Sequence, residues 1–449
     1  MTHPKNLIAA IDIGTTKIVT VLGRINEKQK VEILGLSKTE STGVRRGVVL
    51  NIEETVNAIK KTVEEVRAST GEDFTNVYVG IAGQHIKSVR NRTHIHRDSY
   101  DDEITQEDVD ALIADMYKLN IDIGEEIIHV LPQNFVVDSE TGVKNPVGMF
   151  GRRLEGNFHI VIGQITSARN IEKCVSRVGF KVNSLVLEPL ASAKAVLTED
   201  EKEAGVALVD IGGGTTDVAV YYDGVIRHTA VIPFGGFVVT QDIKEGCSIL
   251  MRQAELLKVQ YGSALGDIAN DDKVVTIPGI SGREPKEISF KNLAYIIQSR
   301  MEEIIDAVTF EIESSGYIEK LSAGIVITGG GALLRHLSQL VRFRTGMDVR
   351  IGFPGEHISG EMSEEINQPM YATSIGLILK GYEMDQAAVI DSVPEMKDND
   401  EIMDSEPKNE QEVQDGEKEE KKKNKQKTGI FDTLKKTITD IFEENDAQI

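Results

Sequence analysis

The stretch from Val206 to Asp223 reads VALVDIGGGTTDVAVYYD. Four apolar residues lead into Asp210. Gly212, Gly213 and Gly214 follow, then Thr215, Thr216 and Asp217, and a second β-rich run begins. The pattern predicts a strand, a tight turn and a returning strand. Three glycines leave the backbone N–H groups of the turn bare of Cβ, so a polyanion can approach them closely. The hydroxyls and the carboxylates at either end add donors and a place for hydrated Mg²⁺. Alone, the pattern favours phosphate binding only modestly over an ordinary glycine-rich hairpin.

A second copy narrows that choice. Ile8 to Val21 reads IAAIDIGTTKIVTV: an apolar strand, Asp12, Gly14, Thr15, Thr16, Lys17 and another β-branched strand. The same device used twice, roughly 200 residues apart, predicts two related subdomains facing one ligand. Lys17 supplies a point charge for a phosphate, and Asp12 and Asp210 could hold a metal from opposite sides. A third glycine turn follows AGIVIT (Ala323 to Thr328), where Gly329, Gly330 and Gly331 precede a helix expected from Leu333. Strand, glycine turn and helix start form a further backbone cradle. Together the three turns predict an α/β fold of two lobes around a nucleotide cleft.

The rest of the chain is organised around these turns. After the Asp12 hairpin, Val31 to Leu36 reads as a third strand, and Asn51 caps an amphipathic helix with apolar residues three and four apart. Val77 to Ala82 returns as a buried strand. Between 83 and 165 alternating segments surround one helical stretch, Thr105 to Leu119, which predicts a small inserted α+β domain. His85, His94, His96 and His129 fall there at spacings unlike a zinc site and read as solvated or partner-facing. Residues 166–197 return to the first lobe, with a helix at Ser167 to Val178. Glu188 stands at a strand-to-helix crossover, where a carboxylate could orient a water near a γ-phosphate or simply favour the helix start.

The second lobe is expected over 198–384, with Gly235 and Gly236 marking a close approach and Thr240 opening a helix. Glu255 and Lys258 lie three apart on one helix face, and Arg300 and Glu303 on the long helix Phe290 to Ser314; both pairs could be purely structural. Lys273 to Pro285 is polar and turn-rich, and Thr373 to Leu379 reads as a final packing helix.

Composition sets the outer bounds. At 449 residues the chain exceeds one simple core. A formal net charge of −22 argues against broad DNA or RNA binding. Two cysteines without metal-like spacing fit a reducing compartment. The chain opens without a secretory pattern, and no apolar run approaches the ~20 residues that cross a bilayer, so a cytoplasmic protein is expected. Residues 385–427 turn polar and charged, a disordered linker by composition. Beyond it Ile430, Phe431, Leu434, Ile438, Ile441 and Phe442 recur at helical spacing within 428–444, suited to a helix lying in a membrane surface or docking on a protein groove. Asp432, Asp440, Glu443 and Glu444 make it less basic than an anionic-lipid binder should be.

The Asp12–Lys17, Asp210–Asp217 and Gly329–Ala332 segments resemble the two phosphate motifs and the adenosine motif of the superfamily of actin, heat-shock chaperones and sugar kinases. Within it the chain most resembles the bacterial FtsA cell-division family. The likeness runs over about residues 6 to 382, through STGVRRGVV (Ser41 to Val49), LEPLASA (Leu187 to Ala193), AELLKVQYG (Ala254 to Gly262) and IVITGGGA (Ile325 to Ala332). It implies an actin-like fold in which 83–165 is the inserted 1C subdomain and about 230–315 the 2B subdomain. It implies ATP and Mg²⁺, with Asp12 and Asp210 at the metal, the two hairpins on the phosphates and Glu188 beside the hydrolytic water. Gly236 would join the nucleotide-binding residues, Glu255 and Lys258 would adjoin ribose and adenine, and Gly329 to Gly331 would lie beneath the base. It further implies weak hydrolysis, self-assembly into protofilaments, and docking of the tail of the tubulin-like FtsZ at Arg300 and Glu303. Membrane attachment through the tail helix at the division site and contact with downstream division proteins complete the expectation. A sugar kinase or a chaperone would not need the linker and tail, and a pilus-assembly relative would lack the tail helix.

Overall fold

The computed structural model describes residues 7–391 except 27, 29, 271, 280–283 and 361–362. The tail positions Ile430 to Phe442 and the charged stretch before them lie outside the described residues.

Two sheets repeat one plan. In the first lobe, Leu7–Ile13, Lys17–Ile25 and Val31–Glu40 form an antiparallel meander, and Asn76–Ile81 pairs parallel with Leu7–Ile13. In the second lobe, Val206–Ile211, Thr216–Tyr222 and Val225–Ile232 form the meander, and Ile325–Thr328 pairs parallel with Val206–Ile211. Lys181–Leu187 extends the first sheet beyond Asn76–Ile81, and Val349–Ile351 extends the second beyond Ile325–Thr328. The leading strands are buried on both faces by helices, which is why each is a nearly continuous apolar run.

Asn51 starts the helix Ile52–Thr70 by accepting the Glu54 N–H at 3.2 Å, and Val56, Ile59, Val63 and Val66 bury its inner face. The helix Ile165–Arg177 lies beside it. On the opposite face of that sheet sit Glu188–Val196 and the last described helix, Ala372–Asp391. Sequence periodicity places this last stretch at the end of the second lobe. Instead it packs on Leu7–Ile13, Lys17–Ile25 and Glu188–Val196, because Ile375, Ile378 and Leu379 join the core of Ile8, Val19 and Val21. Gly376 permits that seat: a Cβ there would lie 1.8 Å from the Ala191 carbonyl oxygen.

The inserted domain is a four-stranded antiparallel sheet of Lys87–His96, Arg153–Gln164, Glu125–Val137 and Glu140–Val143, in that spatial order. The helix Gln106–Met116 covers one face, started by a reciprocal Thr105–Asp108 capping box, with Leu112, Leu154, Phe158 and Ile160 between.

Three local expectations give way. The Gly235–Gly236 helix begins at Gly236, four residues before Thr240, whose hydroxyl bonds back to the Gly236 carbonyl at 3.0 Å. The polar stretch before Phe290 contains a hairpin, Val274–Ile277 with Lys286–Ser289, because Ile288 is anchored in the second-lobe core. After Gly329 the chain makes a short 3₁₀ turn, Gly330–Leu333, and the α-helix starts only at Leu337.

Candidate nucleotide site

The two hairpin turns meet tip to tip. A Cβ on Gly213 would lie 2.3 Å from Thr16 Cγ2, and one on Gly214 2.3 Å from Thr15 Oγ1. One hairpin supplies side chains and the other supplies the space for them. Beside this junction opens a cavity of about 360 Å³ walled by both lobes.

Its carboxylates are held by hydroxyls. Ser374 Oγ donates to Asp12 Oδ2 at 3.0 Å. Ser192 Oγ and, at 3.2 Å, Thr373 Oγ1 donate to Asp210 Oδ2. Lys17 donates to the Met370 carbonyl, with its ammonium 5.0 Å from the centre of the Tyr371 ring. The crossover helix and the start of the last helix therefore fix the acid groups of both hairpins. Sequence reasoning missed Ser192, Thr373 and Ser374; LEPLASA contained Ser192, but single hydroxyls carry no spacing signal.

Burial raises the pKa of Asp12, Asp210, Asp217 and Glu188, most strongly for Glu188 and Asp217. Glu188 also faces Asp12, Asp217 and Asp210. Asp217 is 3% exposed, its Oδ1 has no hydrogen-bond partner among the described residues, and Asp210 raises it further. Burial pushes the Lys17 ammonium down against the pull of Asp12 and Asp210. Buried acid groups thus crowd around Lys17, a balance that a hydrated divalent cation would relieve. Among the described residues no three His, Cys, Asp or Glu side chains form a metal cluster.

Also on the cavity wall, Lys258 Nζ contacts Glu255 at 2.9 Å, the Gly236 carbonyl at 2.9 Å and Thr240 Oγ1 at 2.8 Å. Gly329, Gly330 and Gly331 line it with Met301, Leu334 and Arg335, residues that no motif marked, and a Cβ on Gly329 would lie 2.3 Å from Asp210 Oδ1. The structure brings Asp12, Gly14, Thr15, Thr16, Lys17, Glu188, Asp210, Gly212, Gly213, Gly214, Thr215, Asp217, Gly236, Glu255, Lys258 and Gly329 to Gly331 onto one cavity. Thr216 is the exception: its hydroxyl donates to the Phe234 carbonyl at 2.9 Å and braces the sheet. Arg300 lies outside the cavity wall, gripping Asp242 with two nitrogens and pairing with Glu303.

The histidines of the inserted domain differ from expectation. His94 and His96 are exposed, but His85 is buried, and His129 Nε2 accepts the Leu187 N–H at 3.0 Å. Burial, with Lys380 nearby, lowers His129 to about 4, so it is a neutral strut between domains.

The pattern of the cell-division protein FtsA matches residues 207–376, and that of the SHS2 domain inserted in FtsA matches 83–162. The cell division protein FtsA of Neisseria meningitidis is 38% identical over 379 residues, covering 84% of this chain and 91% of that one. The chain belongs to the FtsA family. The cell division protein FtsA of Escherichia coli is 36% identical over 386 residues, with 84% and 91% covered. Solved structures agree on the architecture at low identity. The PilM-PilN type IV pilus biogenesis complex superposes with a TM-score of 0.61 at 15% identity over 84% of this chain and 99% of that one. MreB5 of Spiroplasma citri bound to ADP gives 0.51 at 15%, over 87% and 100%. The fold is actin-like, with the inserted domain of the FtsA family, and the chain is a cell-division protein by kinship.

Proposed function

We propose that the chain is an ATP-binding, actin-like scaffold of cell division that assembles with itself, binds the FtsZ tail, recruits division proteins and ties them to the cytoplasmic face of the membrane. The observation that carries the nucleotide part is the junction of two Asp-Gly-Thr hairpins over one cavity, with Lys17 as the cation among buried carboxylates. Glycine N–H groups and Lys17 would hold the phosphates, and Glu255, Lys258 and Gly329 to Gly331 the nucleoside end. Mg²⁺ at Asp12 and Asp210 would neutralise phosphate charge. The ADP-bound MreB5 relative supports the same use of the fold.

Glu188, whose pKa is raised by burial and by the neighbouring Asp12, Asp217 and Asp210, would stand beside the hydrolytic water. Nucleotide would control assembly more than it drives turnover. Arg300 and Glu303 would face the FtsZ tail, and the apolar tail positions Ile430, Phe431, Leu434, Ile438, Ile441 and Phe442 would enter the lipid surface, with avidity from assembly offsetting weak single binding. Liposome co-sedimentation with ATP tests this reading: the full chain pellets with lipid and a chain ending at Lys427 does not. Equal pelleting of both would remove the tether.

A further inference from the structure

The inserted domain meets the second lobe along Val225–Ile232. Ser88 Oγ donates to the Thr229 carbonyl at 2.6 Å, and His159 Nε2 lies 2.9 Å from Thr229 Oγ1. The Arg90 guanidinium donates to the carbonyls of Arg227 at 3.2 Å and Ser315 at 3.0 Å. At this joint opens a second pocket, about 500 Å³ and separate from the nucleotide cavity. One wall is a row across three strands, in which the register sets Asn157 between Arg92 and Asn134. Asn157 Nδ2 donates to Asn134 Oδ1 at 2.7 Å. Across from them Arg227 is fixed by its Nε bond to the Tyr222 carbonyl at 3.1 Å and lies 5.7 Å from the centre of the Tyr317 ring.

Arg90, Arg92 and Arg227 therefore converge in a chain of net charge −22; among the described residues no carboxylate lines the pocket, and the Asp223 carboxylate lies 4.0 Å from Arg227. The nearest compensation for Arg92 is Glu155 at 3.8 Å, which Arg153 engages more closely at 2.8 Å. Two of the three guanidiniums are held by backbone carbonyls, so little side-chain entropy remains to be lost on binding.

We propose that this pocket binds an extended acidic segment of a partner protein. Arginine forks match carboxylates bidentately, and amide side chains, each a donor and an acceptor, match a peptide backbone. A free phosphate would use the arginines but find no use for the amide acceptors. One wall belongs to the inserted domain and the other to the second lobe, so a bound segment would bridge the two.

The test uses the full chain and a fluorescein-labelled hexaglutamate peptide, followed by anisotropy at low ionic strength. Saturable binding is expected, weakened about tenfold by Arg92→Glu, the scale of losing one charge-assisted contact. Arg92 is 76% exposed, so the variant folds, which circular dichroism verifies. Arg342→Glu, at a 69% exposed arginine on another surface, leaves binding unchanged. Absence of binding overturns the proposal. So does an equal loss with Arg342→Glu, which means diffuse attraction, or displacement by inorganic phosphate at concentrations matching the peptide, which means a small-anion site.

Discussion

The two hairpins share a sequence pattern and a strand register plan, yet they do opposite things at the cavity. In the first, the residue after Thr15-Thr16 is Lys17; in the second, the residue after Thr215-Thr216 is Asp217. The first turn reaches across with threonine side chains, and the second receives them at Gly213 and Gly214. Lys17 finds a carbonyl and an aromatic face, while Asp217 keeps one oxygen unpartnered in the interior. The lesson is that a duplicated motif becomes a single site by diverging in charge and bulk where the copies touch.

The sharpest way to break this comparison is to fill the receiving turn. Gly213→Asp places a side chain inside the space of Thr16, and ATP affinity by fluorescent-ATP titration is expected to fall more than about a hundredfold. Unchanged affinity would refute the cleft. The milder Gly213→Ala should cost about 1–3 kcal/mol in thermal unfolding. Thr16→Ala in the same chain should restore about 1 kcal/mol of that, since the two positions contact one another. Additive losses would mean the turns do not meet.

The charge difference is tested next, by sign. Asp217 has a raised pKa when folded, so between the ordinary carboxylate value and that raised value the folded protein keeps a proton the unfolded chain has lost. Stability therefore falls as pH rises through that window. Asp217→Asn mimics the neutral acid: it should raise Tm by about 2–4 °C at pH ~8, with the gain vanishing towards pH ~4. A Tm unchanged by Asp217→Asn at both pH values would erase the charge distinction between the hairpins.

The smallest effect is a control away from both turns. Asn51→Ala removes a helix cap and should cost about 1 kcal/mol with ATP affinity unchanged.

Much of the site was legible because its chemistry is local. Asp-Gly-Thr turns, glycine runs after apolar strands and the Thr105–Asp108 capping box are encoded within a few residues, and the structure places them on the expected hairpins and helix. The internal repeat was also legible, since both meanders carry the same order of apolar run, aspartate and glycine. What was not legible depended on partners far along the chain. Thr216 resembles Thr16 in sequence, but only the sheet shows it spent on the Phe234 carbonyl. Ser374 lies 362 residues from Asp12 and Ser192 lies 18 from Asp210, and neither hydroxyl announces its partner.

Short-range periodicity, turn chemistry and composition specify the two hairpins, the inserted domain and the acidic character, and the likeness of the motifs points to the family. That Ala372–Asp391 returns to the first lobe and clamps both aspartates is visible only once the chain is folded. The folded chain also shows that His85 is buried, that His129 is half-buried and bonded to the Leu187 N–H, and that three arginines meet at the joint of inserted domain and second lobe. The reason is physical: which apolar face a helix covers, and which charges lose their water, are set by neighbours that packing brings together, not by neighbours in the chain.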